Sequence, residues 1–488
     1  MELINKRMEI FTKYLNHTNM EHKQYQYDGV RWCLYNELRK DPPCGVRGGF
    51  IADEMGLGKT IMMIGLMLCN FVPKTLIVLP PILIDQWFMQ IYRTTGHKPL
   101  IYHDSYKKTI NFEKLSSAKI VITSYGAITL SKKQLKKKEP SLLHKVMWSR
   151  IIFDEAHHLR NANTTQNNSA RLLSSKIRWL VSGTPVQNSV KDFYSLCNMI
   201  KLPASFYTET DNLKLLAKSF ILKRTKKQVG INLSNINIDR NVVNWSNMKE
   251  MSLSEELHAN LSFSNVSLDK GDKLISNELN ASGKLAILLR ARQSCIYPKL
   301  MLNRLKGLNL SQDYIEAFNH SSKLDYAVNK ILQRKGNGAG KLIFCHFRQE
   351  IDEIADRLRK GGMTMVATFD GRTSNANRFK TLNDDNEALI LQIQTGCEGL
   401  NLQEKYSEIY FISPHWNPAV EDQAIARCHR IGQSKPVFVE RFIMGNFVHD
   451  SESLCPPITI DNYVENVQES KRIVADEVIN IEDQCKKP

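Results

Sequence analysis

Short runs of β-branched and aliphatic residues recur along this chain in two sets, each with longer stretches of helical composition between them. That alternation restricts the fold to parallel α/β sheets, in which each strand is followed by a crossover helix. The first set comprises Thr75–Pro80, Lys119–Thr123, Arg150–Asp154 and Trp179–Ser182. The second comprises Lys341–Cys345, Met365–Phe369, Ala388–Gln392 and Glu408–Ile412. Between the sets, from about Val190 to Lys335, the pattern changes to polar, helix-like segments such as Ser252–Leu261 and Lys284–Gln293. The segment Arg334–Gly340 (RKGNGAG) reads as a loop that delivers the chain into the second set. The expected organisation is a first α/β lobe over residues 1–238, a second over 239–460, each with helical additions, and a polar tail over 461–488. A chain of 488 residues, at roughly 150 per domain, is consistent with about three such pieces.

Sixty-six Lys and Arg against fifty Asp and Glu leave a net charge of +16, which favours a polyanionic partner, nucleic acid before an anionic membrane surface. A merely soluble basic enzyme has the same balance. The ten cysteines stand singly, with no CxxC pair, so zinc fingers are not expected and the thiols read as reduced and mostly buried. The N-terminal MELINKRMEI lacks the apolar core of a signal peptide, and apolar stretches such as Ile61–Cys69 are too short to span a bilayer. These features point to an intracellular protein with no membrane partner.

The strongest local signal is Gly49-Phe-Ile-Ala-Asp-Glu-Met-Gly-Leu-Gly-Lys-Thr60. An apolar strand ends at Ile51, a glycine-rich turn follows, and an apolar helix opens at Thr60, the context a phosphate-binding loop requires. Gly56 and Gly58 let backbone N–H groups approach phosphate oxygens, Lys59 supplies a charge for the β/γ-phosphates, and the Thr60 hydroxyl suits magnesium. Asp53, Glu54, Met55 and Leu57 complete the candidate ATP-binding loop. The strict consensus has Gly where Asp53 stands.

Arg150-Ile-Ile-Phe-Asp-Glu-Ala-His157 is an apolar strand ending in two carboxylates. Asp154 can hold magnesium while Glu155 polarises the attacking water, although an isolated Asp-Glu at a strand end also reads as a helix cap. His157 and His158 are adjacent and do not converge on one ion. Ser182-Gly-Thr184-Pro follows another strand and offers hydroxyls for coupling hydrolysis to movement, or an ordinary turn. Ahead of the phosphate loop, the amide of Gln26 opens a helix and suits the edge of an adenine. In the second half, Gln423, Arg427 and Arg430 fall at i, i+4 and i+7, which predicts one face of a continuous helix. Two guanidiniums there want an anion such as a γ-phosphate; a solvated basic face is the alternative.

Taken in order, DEMGLGKT, DEAHHLRN, SGTPVQNSVKDFYSL, ARQSCIYPKL, TGCEGLNL, HWNP and QAIARCHRIGQ resemble the Swi/Snf-type branch of the superfamily 2 helicases, over about Gln24 to Ile443. Asp53 fits this resemblance, because the family commonly carries DEMGLGKT. The resemblance implies two RecA-like parallel-sheet lobes with helical protrusions between and within them. It implies Gln26 at adenine, and Gly56, Gly58, Lys59 and Thr60 at phosphates and magnesium. Asp154 and Glu155 become the hydrolytic acids, and Arg427 and Arg430 the arginine fingers. Ser124, Thr184, Thr395 and Asn401 fall in or near motifs that face DNA or couple the lobes. Cys397-Glu398 departs from the pattern, where relatives carry a second Gly and a small or apolar residue. Without room for bromodomain-, chromodomain- or SANT-like additions, the chain is similar to compact viral members, especially the baculovirus global transactivator-like proteins.

The expectation is therefore a nuclear, ATP- and Mg²⁺-dependent ATPase that moves on double-stranded DNA and remodels or displaces bound proteins, with chromatin or transcription proteins as further partners. Two other readings stand beside it: a strand-separating DNA or RNA helicase, and a non-catalytic DNA-binding transcription cofactor. The basic run Lys132–Lys138 (KKQLKKK) reads as a nuclear-import signal, a DNA-facing loop or a solvated loop.

Overall fold

The computed structural model describes residues 2–479, apart from 138, 185–188, 265, 267–283, 305–311, 374–379, 383, 397–399 and 448–456. The chain divides into two compact units, the first holding residues 1–232 and 471–488, the second Leu233–Ser470.

In the first unit seven strands form one sheet: β1 (Arg47–Ile51), β2 (Thr75–Leu79), β3 (Leu100–Tyr102), β4 (Ile120–Ser124), β5 (Trp148–Asp154), β6 (Ser175–Val181) and β7 (Ile221–Leu222). Their order is β3-β4-β2-β5-β6-β1-β7, and every pairing is parallel. Side chains alternate across the sheet, so the near-continuous apolar strands bury both faces. Ile51, Ile77, Leu79, Ile152 and Trp179 enter one core cluster with Met8, Phe11 and Leu15 of the N-terminal helix Glu2–His17. Phe50, Leu76, Val78, Ile151, Phe153 and Leu180 enter the cluster on the other face. A parallel sheet aligns the carboxyl ends of its strands on one edge, where open α/β sheets bind ligands. Because β5, β6 and β1 are neighbours, the segments leaving Asp154, Val181 and Ile51 emerge side by side.

The second unit repeats the plan with β8 (Ile236–Val243), β9 (Gly340–Cys345), β10 (Val366–Phe369), β11 (Ala388–Gln392), β12 (Tyr406–Phe411) and β13 (Val437–Met444). They lie in the parallel order β10-β11-β9-β12-β13-β8. All eight runs expected as strands are strands to within a few residues, and the helices Met248–His258 and Lys284–Ile296 occupy the polar middle. Four strands go beyond the sequence reading. β3 and β7 are three and two residues long, β8 is an edge strand with mostly exposed side chains, and Glu440-Arg441 interrupts the apolar run of β13.

The expected lobe boundary at 238/239 falls inside β8; the chain divides instead at Asn232/Leu233. The segment from 461, expected as a polar tail, is helical as part of Ile460–Ile479. Its start is anchored by burial of Ile460 and Val464, and by an ion pair between buried Asp461 and buried Lys323, whose ammonium also donates to Ser413 Oγ at 2.8 Å. Lys132–Lys137 is a short, largely exposed helix, and Lys138 lies outside the described residues. Among the described residues no helix is long and apolar enough to cross a membrane. Seven described cysteines are free thiols, six of them buried.

Candidate active site

β1 runs into the turn 52–58 and then the helix Lys59–Cys69, which Lys59 rather than Thr60 opens. Gly56 and Gly58 adopt φ of 90° and 79°, in the left-handed region where a side chain is disfavoured. Gly58 is also crowded: a Cβ there would lie 2.3 Å from the Gln26 side-chain nitrogen. Gln26, in the first turn of the helix Gln24–Leu38, is buried and donates from Nε2 to the Leu57 carbonyl at 3.2 Å. The structure thus brings Gln26 onto the phosphate-loop candidate. The Lys59 ammonium curls over the turn, donating to the carbonyls of Asp53 (2.9 Å) and Glu54 (3.4 Å). Met55 faces the SGTP segment, since a Cβ on Gly183 would lie 2.8 Å from Met55 Cγ and 3.4 Å from Lys59 Nζ.

The carboxylates of Asp53 and Glu54 engage protein cations. Fully buried Asp53 accepts from Arg224 Nε at 3.1 Å and Nη2 at 2.5 Å, and Glu54 pairs with Lys226 Nζ at 2.9 Å. The sequence reading placed both acids in the nucleotide loop and missed their basic partners. Nothing in a linear pattern ties Arg224 to a position 171 residues earlier.

Asp154 ends β5. Its Oδ2 accepts from Trp87 Nε1 at 2.7 Å, Oδ1 accepts from the Glu155 N–H at 3.1 Å, and its carbonyl accepts from Tyr125 Oη at 2.8 Å. Burial, and then the neighbouring Glu155 charge, push the Asp154 carboxyl up to about 7, while the Lys59 charge works against the rise. That opposition puts the cation of the phosphate loop and the acid of β5 in one electrostatic neighbourhood. Glu155 holds φ 50° and ψ 50°, an uncommon conformation for a residue with a side chain and one that concentrates at functional sites. His157 Nδ1 lies 3.3 Å from Glu155 Oε2 and 3.3 Å from Ser182 Oγ, which in turn accepts from the Thr184 N–H at 3.2 Å. Glu155, His157, Ser182 and Thr184 therefore form a chain of contacts from the acid pair to the SGTP turn. Trp87, Tyr125 and His157 were not singled out as site residues. A buried Trp needs a partner for its N–H, yet its sequence does not say which.

A hard divalent cation takes oxygen ligands, and the crowded carboxylates of Asp154 and Glu155 are donors of that kind, as is the Thr60 hydroxyl. Thr60 and Asp154 thus fit magnesium by donor chemistry. Among the described residues no group of three or more His, Cys, Asp or Glu gathers as a metal cluster. Ser124 is buried and internally engaged: its Oγ caps the helix Tyr125–Ile128 through the Ala127 N–H and lies 2.9 Å from His103 Nδ1.

In the second unit the expected helix through Arg430 is not continuous. The helix Pro418–Ile425 stops, and three-residue turns follow, with N–H bonds from Arg427 to Ala424 and from Cys428 to Ile425. The fully buried Cys428 side chain and Gly432 at φ 95° accompany that turn. Gln423 is buried inside the helix, whereas Arg427 and Arg430 lie beyond its end. Arg427 and Arg430 are half-buried and close: burial first, then the Arg427 charge, lowers the Arg430 guanidinium from its usual range. Arg430 Nη1 donates to Asn401 Oδ1, which brings that expected motif residue to the arginine pair. Thr395 lies in the short helix Ile393–Gly396, and Cys397-Glu398 lies outside the described residues.

Two parallel-sheet units, with a glycine-rich turn, a lysine and an acid pair on one edge of the first, define an α/β protein of the helicase-like type. The sequence profile of the SNF2-related domain matches residues 25–300, and the chain belongs to that family. The helicase conserved C-terminal domain matches residues 322–432. Chromodomain-helicase-DNA-binding protein 6 of Mus musculus is 28% identical over 495 residues, covering 90% of this chain and 17% of the relative. DNA repair protein RAD5B of Arabidopsis thaliana is 25% identical, covering 83% of this chain and 44% of the relative. The chain thus spans less than half the length of either protein. The probable global transactivator of Orgyia pseudotsugata multicapsid polyhedrosis virus is 26% identical over 483 residues, 94% of this chain and 91% of the relative. Among solved structures, the Sulfolobus solfataricus SWI2/SNF2 ATPase core in complex with dsDNA covers 94% of this chain and 97% of its own, at 22% identity and a TM-score of 0.39.

Proposed function

We propose that this chain hydrolyses ATP with Mg²⁺ bound, and uses the cycle to translocate along double-stranded DNA and remodel or displace bound proteins, in transcription regulation within the nucleus. The observation that carries the reading is the assembly of Gln26, the turn 52–58, Lys59 and the Asp154–Glu155 pair around one edge of the first sheet. Gln26 contacts adenine, the amides of the turn and Lys59 hold phosphates, and Thr60 and Asp154 hold magnesium. The metal, when bound, neutralises charge on the phosphate oxygens. Glu155 orients the water that attacks the γ-phosphorus; the bond to the β-phosphate oxygen breaks, and ADP and phosphate leave. Arg427 and Arg430 stabilise the charge that develops on the transferred group.

DNA as the track is supported by the net charge of +16 and by the family, whose relatives include a chromodomain-helicase-DNA-binding protein and a DNA repair protein. The viral relative carries the name of a transactivator, which supports a transcriptional role. The test is steady-state ATPase against duplex DNA, single-stranded DNA, RNA and nucleosomes in parallel, with Lys59→Ala as control. We expect duplex DNA to stimulate most and Lys59→Ala to be inactive. Equal rates with and without duplex would remove the DNA-motor reading.

A further inference from the structure

We propose that Arg224 and Lys226 are positioning residues that latch the phosphate-binding loop, through Asp53 and Glu54, to the turn Thr225–Gly230. The inference rests on the reading of 52–60 as an ATP site. A loop that grips phosphate with backbone N–H groups must hold one shape, and its glycines supply freedom rather than rigidity. The rigidity comes from the chain that leaves β7. The Ala52 N–H donates to the Leu222 carbonyl at 2.8 Å and the Glu54 N–H to the Arg224 carbonyl at 2.9 Å. The Arg224 guanidinium grips both oxygens of Asp53, the planar two-point contact that lysine cannot reproduce. Glu54 is held twice, by the Lys226 N–H at 2.8 Å and its ammonium at 2.9 Å.

The anchor is itself well fastened. The Thr225 N–H donates to Gln228 Oε1 at 2.8 Å, the Gln228 N–H to Thr225 Oγ1 at 3.2 Å, and the Val229 N–H to the Thr225 carbonyl at 3.2 Å. Arg224 also donates to the Tyr25 carbonyl, and its guanidinium lies 5.7 Å from the Tyr25 ring centre. One arginine therefore fixes the loop and the residue next to Gln26 together. Asp53, the departure from the generic glycine, is the acid this latch requires. The two acids shape the nucleotide site without being ligands of the nucleotide.

The experiment uses the full chain with Asp53→Asn, Arg224→Lys, Lys226→Ala and the conservative Lys226→Arg. Amide hydrogen exchange over 52–58 and 223–230 is read beside binding of a fluorescent ATP analogue and steady-state ATPase. Asp53→Asn and Arg224→Lys should speed exchange in both segments and raise KM for ATP on the order of tenfold, with kcat changed far less, as expected for a lost hydrogen bond between charged groups. Lys226→Ala should do the same more weakly without disturbing the fold, and Lys226→Arg should restore the parent KM. Parent exchange and parent KM in Lys226→Ala and Arg224→Lys would overturn the latch. If Lys59→Ala kept the parent rate, the ATP-site reading would fail, while exchange over 52–58 would still decide whether the latch orders the loop.

Discussion

Replacing Glu37 with Ala should cost the first unit roughly 3–5 kcal/mol, the usual consequence of stranding one charge of a buried pair. Glu37 lies in the last turn of the helix Gln24–Leu38, whose first turn carries Gln26, and both its side chain and that of Arg150 are fully buried. Its Oε1 accepts from Arg150 Nε at 2.7 Å and Trp179 Nε1 at 2.8 Å. Its Oε2 accepts from Arg150 Nη2 at 2.5 Å and Asn70 Nδ2 at 2.6 Å. Alanine leaves the guanidinium with the Asn70 carbonyl alone among these partners, and strands the Trp179 and Asn70 donors as well. At about 2–4 °C per kcal/mol for a unit of this size, the melting point should fall by roughly 6–20 °C. Tryptophan fluorescence reads the transition, since Trp179 sits in the network. The double variant Glu37→Leu/Arg150→Met should be less destabilised than Glu37→Ala, because no buried charge is left behind. The network also matters for the site: Arg150 lies in β5, which ends at Asp154, and the Glu37 helix carries Gln26 onto Gly58. A shift of under about 2 °C for Glu37→Ala would refute the reasoning, because the cost of an uncompensated buried charge is what sets the magnitude.

Glu155→Gln should retain ATP and duplex binding, read by nucleotide fluorescence and DNA anisotropy, while hydrolysis collapses; loss of ATP affinity comparable to Lys59→Ala would move Glu155 to a different role. Arg430→Ala should bind ATP nearly as the parent does and turn over on the order of 10³-fold more slowly, with lysine a poor substitute; a retained DNA-stimulated rate would make the turn after Ile425 a basic surface only. His258 is buried and neutral: its ring lies 2.7 Å from the Ser254 carbonyl through Nδ1, Nε2 accepts from the Ile460 N–H at 2.9 Å, and burial lowers its pKa to about 4 from 6.5. The unfolded chain then binds the proton first, so this contribution is present above pH 6.5 and is lost as pH falls through the window to 4, about 3 kcal/mol in all. Glu250, raised by burial to about 7, acts in the opposite sense, so the readout is the difference between the stability–pH curves of the parent and His258→Asn; parallel curves would refute the assignment.

Elements whose apolar residues fill a core announced themselves in the sequence, because burial on both faces of a parallel sheet demands uninterrupted aliphatic runs. β2 (TLIVL) and β11 (ALILQ) are of that kind, and their limits were legible to within a residue. β8 (INIDRNVV) was not, since an edge strand with exposed side chains has no such demand, and its residues fell within the polar, helix-like middle. The helix from Ile460 was hidden for a related reason: few of its described side chains enter the core, and a buried Lys323–Asp461 pair anchors it. The residues we assign to phosphate and water stood out because that chemistry would fix residue types at short spacing, as in GLGKT and DEAH. Their supports were not. Trp87 on Asp154 and Arg224 on Asp53 bridge 67 and 171 residues, and no local pattern marks which distant donor will meet which acid. The arginine pair shows the converse limit. Spacing placed Arg427 and Arg430 on a helix, and the helix ends before both, yet they remain neighbours because the turn that replaces it is held by the buried Cys428 and by Leu402 bonding to the Arg427 carbonyl. Proximity in the sequence survived a wrong secondary structure, so the pair's chemistry depends on that turn, and stability of the turn rather than helix propensity should govern substitutions there.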